Sequence, residues 1–224
     1  MGVSLSAVAD VRSTPHNMTQ GGMRADPGEV CVFCHTPVIG ALSAAKGPAW
    51  QARVGIEHVF SLYDDIGRQG EGAVPTVGSQ SIACLSCHDS NQAFSVTQMH
   101  YDHPFGVPYR GYDRLRLRQD GGAYLRRLTD SPFIEARHLK GLLDFRVPVR
   151  GSVDNRTVWW VPVTADTVRR SRGDLPLFVR RDRFTGEERP YIECSSCHDP
   201  HNTNRQFLRQ SNETSTLCLV CHEK

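Results

Sequence analysis

Eight cysteines stand in this chain, and every one belongs to the same five-residue pattern. Cys31-Val-Phe-Cys34-His35, Cys84-Leu-Ser-Cys87-His88, Cys194-Ser-Ser-Cys197-His198 and Cys218-Leu-Val-Cys221-His222 all read C-x-x-C-H. That pattern is the attachment signature of c-type haem: two thiols add across the porphyrin vinyl groups, and the adjoining imidazole becomes the proximal iron ligand. Two intervening residues let both sulfurs reach one macrocycle while the histidine lies under its metal. Zinc competes for the cysteines, because two C-x-x-C units can make a tetrahedral four-thiolate site. It leaves the histidine after each pair without a role, four times over. A dithiol redox protein needs one reactive C-x-x-C rather than four scattered ones. The expected cofactor is therefore haem c in four covalently attached copies. Cys31, Cys34, Cys84, Cys87, Cys194, Cys197, Cys218 and Cys221 hold the porphyrins, and His35, His88, His198 and His222 are the proximal ligands.

Such a cargo changes what the chain needs for a core. Only 39% of the 224 residues are hydrophobic and 8% aromatic, which is thin for a conventional interior. Four haems supply large apolar faces, and attachment at eight cysteines staples long loops as disulfides and metals do in other core-poor proteins. The expected fold is mostly irregular, with short helices wrapped on a haem-filled core and a small β-rich insert. The formal charge of +2 gives no argument for nucleic acid. Two propionates per haem would carry it to about −6 with the iron charge ignored. Arginine supplies 23 of the 26 basic residues, either as a simple preference over lysine or to pair with those propionates bidentately.

Motif spacing gives the organisation. The motif starts lie at 31, 84, 194 and 218, so the last two haems are close neighbours. Residues 1–224 read as a single tetrahaem domain, within which 110–192 is a haem-free stretch. Strand-like runs occupy 157–163 and 175–179, followed by a Thr185-Gly186 turn and a run from Tyr191 to Cys194. Residues 131–143 begin with Ser-Pro and carry apolar residues at helical spacing, which predicts a short helix. No run of 18 apolar residues exists, so no membrane span is expected. The opening MGVSLSAVADV is too short and uncharged for an intact secretory signal. Because c-type haem is attached outside the cytoplasmic membrane, the expectation is a removed signal and an extracellular, cell-surface or periplasmic location.

Four low-spin haems need four further ligands, and six histidines lie outside the motifs: His16, His58, His100, His103, His138 and His201. Met1, Met18, Met23 and Met99 are few and bunched, so all-histidine ligation is the economical reading, with lower potentials than His/Met ligation gives. His201 stands three residues after His198 and cannot reach the same iron. It is placed to bind a neighbouring one, so a short peptide ties two haems together. His16 sits in a polar arm with nothing apolar to pack against, and His58 lies beside Ile56, Val59 and Phe60. Both are expected ligands, with an exposed and a core histidine as their respective bland readings. His138, between Arg137 and Lys140-side charge, reads as a surface residue, and His100 as a substitute for His103.

Several stretches now carry a resemblance: CVFCHTP (31–37), FSLYDD (60–65), ACLSCHD (83–89), DHPFGVPY (102–109), ECSSCHDPHN (193–202) and LCLVCH (217–222). In this order they resemble the multihaem cytochromes with doubled CxxCH motifs, and particularly the OmcE-type tetrahaem cytochromes that polymerise into extracellular filaments. The resemblance covers most of the chain outside 110–190. It implies bis-histidine haems, electron transfer, His103 and His201 as distal ligands, and a haem chain continued across subunits by a histidine donated between them. The pattern is departed from at Val38, where CHTPH would place a histidine, and at Ala52. His58 is read as the compensating ligand.

The expected protein is thus a non-enzymatic electron carrier, most economically the repeating subunit of a head-to-tail filament, with redox donors, acceptors and its own copies as partners. His16 is the expected bridge to the next protomer. A monomeric periplasmic shuttle with the same haems is the alternative. A haem enzyme reducing nitrite or a related compound would need an open iron, against which six spare histidines argue.

Overall fold

The apolar runs of the central stretch do form strands. The computed structural model describes residues 11–17, 81, 84–85, 87–88, 105–129, 141–153, 155–164, 169–181, 187–204 and 206–223. Their sheet has five antiparallel strands in the order β1-β5-β4-β3-β2, with β1 at Val107–Pro108, β2 at Val149–Val153, β3 at Arg156–Val161, β4 at Leu175–Arg181 and β5 at Glu188–Ile192. The strands expected over 157–163 and 175–179 correspond to β3 and β4, and the run from Tyr191 to β5. The Thr185-Gly186 turn lies outside the described residues.

Why β3 sits inside the sheet rather than at its edge is visible in its composition. Arg-Thr-Val-Trp-Trp-Val carries β-branched and aromatic residues at consecutive positions, which suits a strand covered on both faces. Trp159 meets Tyr112 edge-on with ring centres 5.5 Å apart. Trp160 is buried and lies across Gly151 of β2, where a Cβ would come within 2.8 Å of the indole. One side of the sheet gathers Val107, Tyr109, Val161, Leu175, Leu177 and Ile192 with Val220 of the last motif. Fully burying a side chain of this size contributes roughly 1.5–3 kcal/mol, so the C-terminal motif is seated on the sheet rather than appended to it.

Two helices lie between β1 and β2, α1 at Arg110–Asp120 and α2 at Gly122–Thr129. The sequence reading had no named element there. The reason is composition: α1 is Arg-Gly-Tyr-Asp-Arg-Leu-Arg-Leu-Arg-Gln-Asp, with a weak apolar stripe, and its stability comes from arginine's good helix propensity and specific buried contacts. Asp113 pairs with the buried Arg189 of β5 and accepts a 2.6 Å hydrogen bond from the Tyr124 hydroxyl of α2. Gly111 allows the close approach to the preceding core: a Cβ there would lie 2.0 Å from the Arg146 carbonyl oxygen. The helix expected over 131–143 falls mostly outside the described residues, and its described end is a 3-10 turn at Leu142–Asp144. Among the described residues, no helix is long and apolar enough to cross a membrane.

Candidate haem sites

Three of the four C-x-x-C-H motifs lie among the described residues, and their backbones close in the same way. Cys194–Cys197 forms one helical turn, α3, and Thr216–Cys221 forms α4. The amide of His198 donates to the Cys194 carbonyl at 3.0 Å, that of His222 to Cys218 at 3.0 Å, and that of His88 to Cys84 at 3.0 Å. Residues three apart on a helical turn share a face, so each pair of sulfurs can meet one macrocycle. His198 and His222 then leave their turns in extended backbone, with φ/ψ of −100°/136° and −105°/132°. All six described cysteines are free of disulfides. Cys31, Cys34 and His35 lie outside the described residues.

His198 shows what holds a proximal ring. Its Nδ1 lies 2.9 Å from the Gln206 carbonyl oxygen, a contact that requires Nδ1 to carry the proton. Nε2 then keeps its lone pair for a metal, and the carbonyl fixes the ring's orientation and increases its basicity. This donor set and tautomer fit a c-type haem. The loop from His198 to Leu208 is built for the purpose. Asn204 accepts the amides of Gln206 and Leu208 on its side-chain oxygen, at 3.2 and 3.1 Å, while Asn202 and Asn204 both donate to the Leu208 carbonyl at 2.9 Å.

His201, the expected distal ligand of this segment, is exposed. Its Nδ1 stands 3.2 Å from Asp199 Oδ1, which also accepts the His201 amide at 3.0 Å. Burial works against the Asp199 charge. The His201 amide, Arg209 and Arg172 overcome it and hold the carboxyl below its ordinary range. A carboxylate on Nδ1 keeps the proton on that nitrogen and leaves the lone pair on Nε2.

Contacts between motifs are the least expected feature. Glu193, immediately before Cys194, is 1% exposed. One carboxylate oxygen accepts from Ser81 at 2.5 Å and the other from Arg180 of β4 at 2.9 Å, whose guanidinium also covers the Tyr191 ring. Ser81 in turn accepts the Cys194 amide at 3.0 Å. The buried carboxylate therefore joins the approach to the second motif to the start of the third. Cys84, and after the opposing effect of burial Ser81, lower the pKa of the Cys194 thiol by hydrogen bonding. At the fourth motif, burial pushes the Cys221 thiol up to about 12, with Cys197 adding to the rise. Tyr109, fully buried, donates to the Arg146 carbonyl at 2.8 Å, and the Arg146 amide donates to the Cys221 carbonyl at 2.8 Å. The ring of His222 packs 4.5 Å from Phe145.

His16 lies against its own chain. Its ring centre is 4.5 Å from that of Phe207 and 6.3 Å from that of His88. Burial, and after it His88 and His198, lower its pKa. The expected ligands His58 and His103, with the spare histidines His100 and His138, fall outside the described residues. Among the described residues no three histidine, cysteine or carboxylate side chains converge as ligands of one metal ion. Sequence reasoning overlooked Ser81, Glu193, Gln206 and Phe207, and only the Asp199 of His-Asp-Pro-His carried a local signal.

Residues 190–224 match the family model described as the doubled CXXCH motif. No curated protein and no solved structure matches the chain. The matched segment runs from Pro190 of β5 through both C-terminal motifs, and so includes the His198 and His222 turns described above. It supports a multihaem c-type cytochrome, covalent haem c binding, and electron transfer as the role.

Proposed function

We propose that the chain is a tetrahaem electron-transfer cytochrome, with one haem at each C-x-x-C-H motif and a second histidine closing each iron, and that its copies assemble head to tail into an extracellular filament. The observation that supports it best is the shared closure of the motifs at 84–88, 194–198 and 218–222. Three different sequence contexts would not need one conformation unless they performed one task. The haem iron supplies one-electron chemistry, and the polypeptide sets spacing and orientation. Gln206 holds the His198 ring, Asp199 holds the His201 ring, and Glu193 with Ser81 and Arg180 fixes the second motif against the third. With histidines in excess of the remaining coordination positions, no iron is left open for a substrate, so the protein is a carrier rather than an enzyme.

The haems complete the core around the sheet, residues 1–224 act as one domain, and 110–192 is the stretch that supports the third and fourth motifs. The filament follows from the resemblance in the stretches around the motifs. A heterologous contact that does not close propagates as an open fibre. A monomeric shuttle with the same haems is the second reading, favoured by the way residues 11–17 fold on their own chain. Electron microscopy of secreted holoprotein, with sizing in parallel, separates them. Filaments with a repeat of one subunit are expected. Monomers at all concentrations would overturn the assembly and leave the electron-transfer role standing, whereas turnover of nitrite at a high-spin haem would overturn that role.

A further inference from the structure

We propose that His16 is the axial partner of His88, bound to the opposite face of the haem held by Cys84 and Cys87, and donated by the same chain. This rests on the haem reading above and deepens it by assigning one ligand to one iron. The two imidazole centres are 6.3 Å apart and their planes are inclined by 84°. That separation lies within the range of an edge-to-face ring pair and is too long for a direct hydrogen bond. Two imidazoles bound trans to one metal through bonds of about 2 Å, each with its centre about 1 Å beyond the ligating nitrogen, stand roughly 6 Å apart. The spacing of His16 and His88 thus also matches two rings with a single metal between them, and the surroundings of His16 decide for that reading.

The surroundings of His16 also point to a ligand. Its Nδ1 is buried and has no hydrogen-bond partner. A buried polar atom left unsatisfied is destabilising, and ligation or tautomer choice at such a ring removes part of that cost. The ring is held deliberately. Phe207 covers it at 4.5 Å, and Phe207 occupies left-handed backbone at φ 56°. A bulky residue in that region is strained and persists where the surroundings require it, typically at functional sites. The amide of Phe207 is anchored to the Asn204 carbonyl at 3.1 Å and its carbonyl accepts the Asp199 amide, so the loop that orients His198 also covers His16. From the other side, the buried Thr14 builds the turn that presents His16: its hydroxyl donates to the Val11 carbonyl at 2.7 Å and accepts the His16 amide at 3.2 Å.

This assignment moves His16 from the bridging role that its polar surroundings in the sequence imply. A filament would then draw its intersubunit ligand from another histidine.

The test uses holoprotein. Wild-type protein should show, in its electron paramagnetic resonance spectrum, a strongly anisotropic low-spin component of the kind that perpendicular axial imidazoles produce. In His16→Ala, mass spectrometry should still find every haem, that component should vanish, one haem should turn high-spin and bind carbon monoxide when reduced, and added imidazole should restore it. In a background lacking the second haem, with Cys84, Cys87 and His88 all replaced by alanine, His16→Ala should cause no further change in spin state. Dilution of wild-type protein to monomers should leave the anisotropic component in place. A wholly low-spin His16→Ala, a new high-spin haem in the background without the second site, or loss of the anisotropic component on dilution would each overturn the pairing. Should His16→Ala fail to fold, absence of the anisotropic component from wild type overturns it instead. Absence of covalent haem would sink the underlying reading, and is distinguished by the mass alone.

Discussion

Replacing Glu193 by alanine should expose how the second and third motifs are held together. The carboxylate is 1% exposed and accepts from Ser81 at 2.5 Å and from Arg180 at 2.9 Å. Truncation removes both acceptors and leaves the Arg180 guanidinium, itself 20% exposed, without its counter-charge. Removing one member of a buried ion pair costs about 3–5 kcal/mol. Arg180's partial contact with water places the loss at the low end, about 3 kcal/mol. Glutamine keeps the volume and one acceptor oxygen, so Glu193→Gln should cost only about 1–2 kcal/mol. Urea unfolding of holoprotein followed by tryptophan fluorescence provides the assay, because the three tryptophans are quenched by haem in the folded chain and recover on unfolding. Combining Ser81→Ala with Glu193→Ala should give a smaller loss than the two singles added together, since the pair shares one hydrogen bond. A loss under about 0.5 kcal/mol for Glu193→Ala, the size of an ordinary surface change, would refute the claim that this carboxylate joins the motifs.

Replacing His201 by alanine should open the sixth position on a haem other than the one attached at Cys194 and Cys197, read as carbon monoxide binding by the reduced protein; an unchanged, wholly low-spin spectrum would remove His201 from the ligands. Tyr109→Phe keeps the buried ring and deletes only the hydroxyl that donates to Arg146 at 2.8 Å. It should lower unfolding free energy by about 1–2 kcal/mol in the same urea assay, with the haem spectrum unaltered.

What could be read from the chain alone follows the range of the interactions. The motifs, the strands β3, β4 and β5, and the adjacency of the last two motifs are local, because each is written in fewer than thirty or so consecutive residues with strong apolar or cysteine patterning. β2 escaped because Val-Arg-Gly-Ser-Val alternates weakly, and its place is set by Trp160 lying over Gly151. β1 is two residues long and exists by pairing with Tyr191 and Ile192. α1 is dominated by arginine, and the contact that fixes it, Asp113 with Arg189, spans 76 positions. The Ser81–Glu193 bond spans 112. No local pattern announces such a partner. His16 shows the same limit: with nothing apolar nearby in sequence it looked destined for another subunit, yet its packing surface is Phe207, brought back from the far end of the chain. Asp199 was legible as part of His-Asp-Pro-His, but its work in orienting His201 needed the geometry of the turn.

The central claim is that every C-x-x-C-H motif carries a covalent haem. Mass spectrometry of the acid-denatured, exported protein tests it most directly, because acid strips any haem that is held only by its iron and leaves those joined through thioethers. The expected mass is that of the polypeptide plus four haems, with all eight cysteines unavailable to a thiol-alkylating reagent. A chain carrying fewer than four haems, or one that retains alkylatable cysteines or loses its metal as zinc, would contradict it.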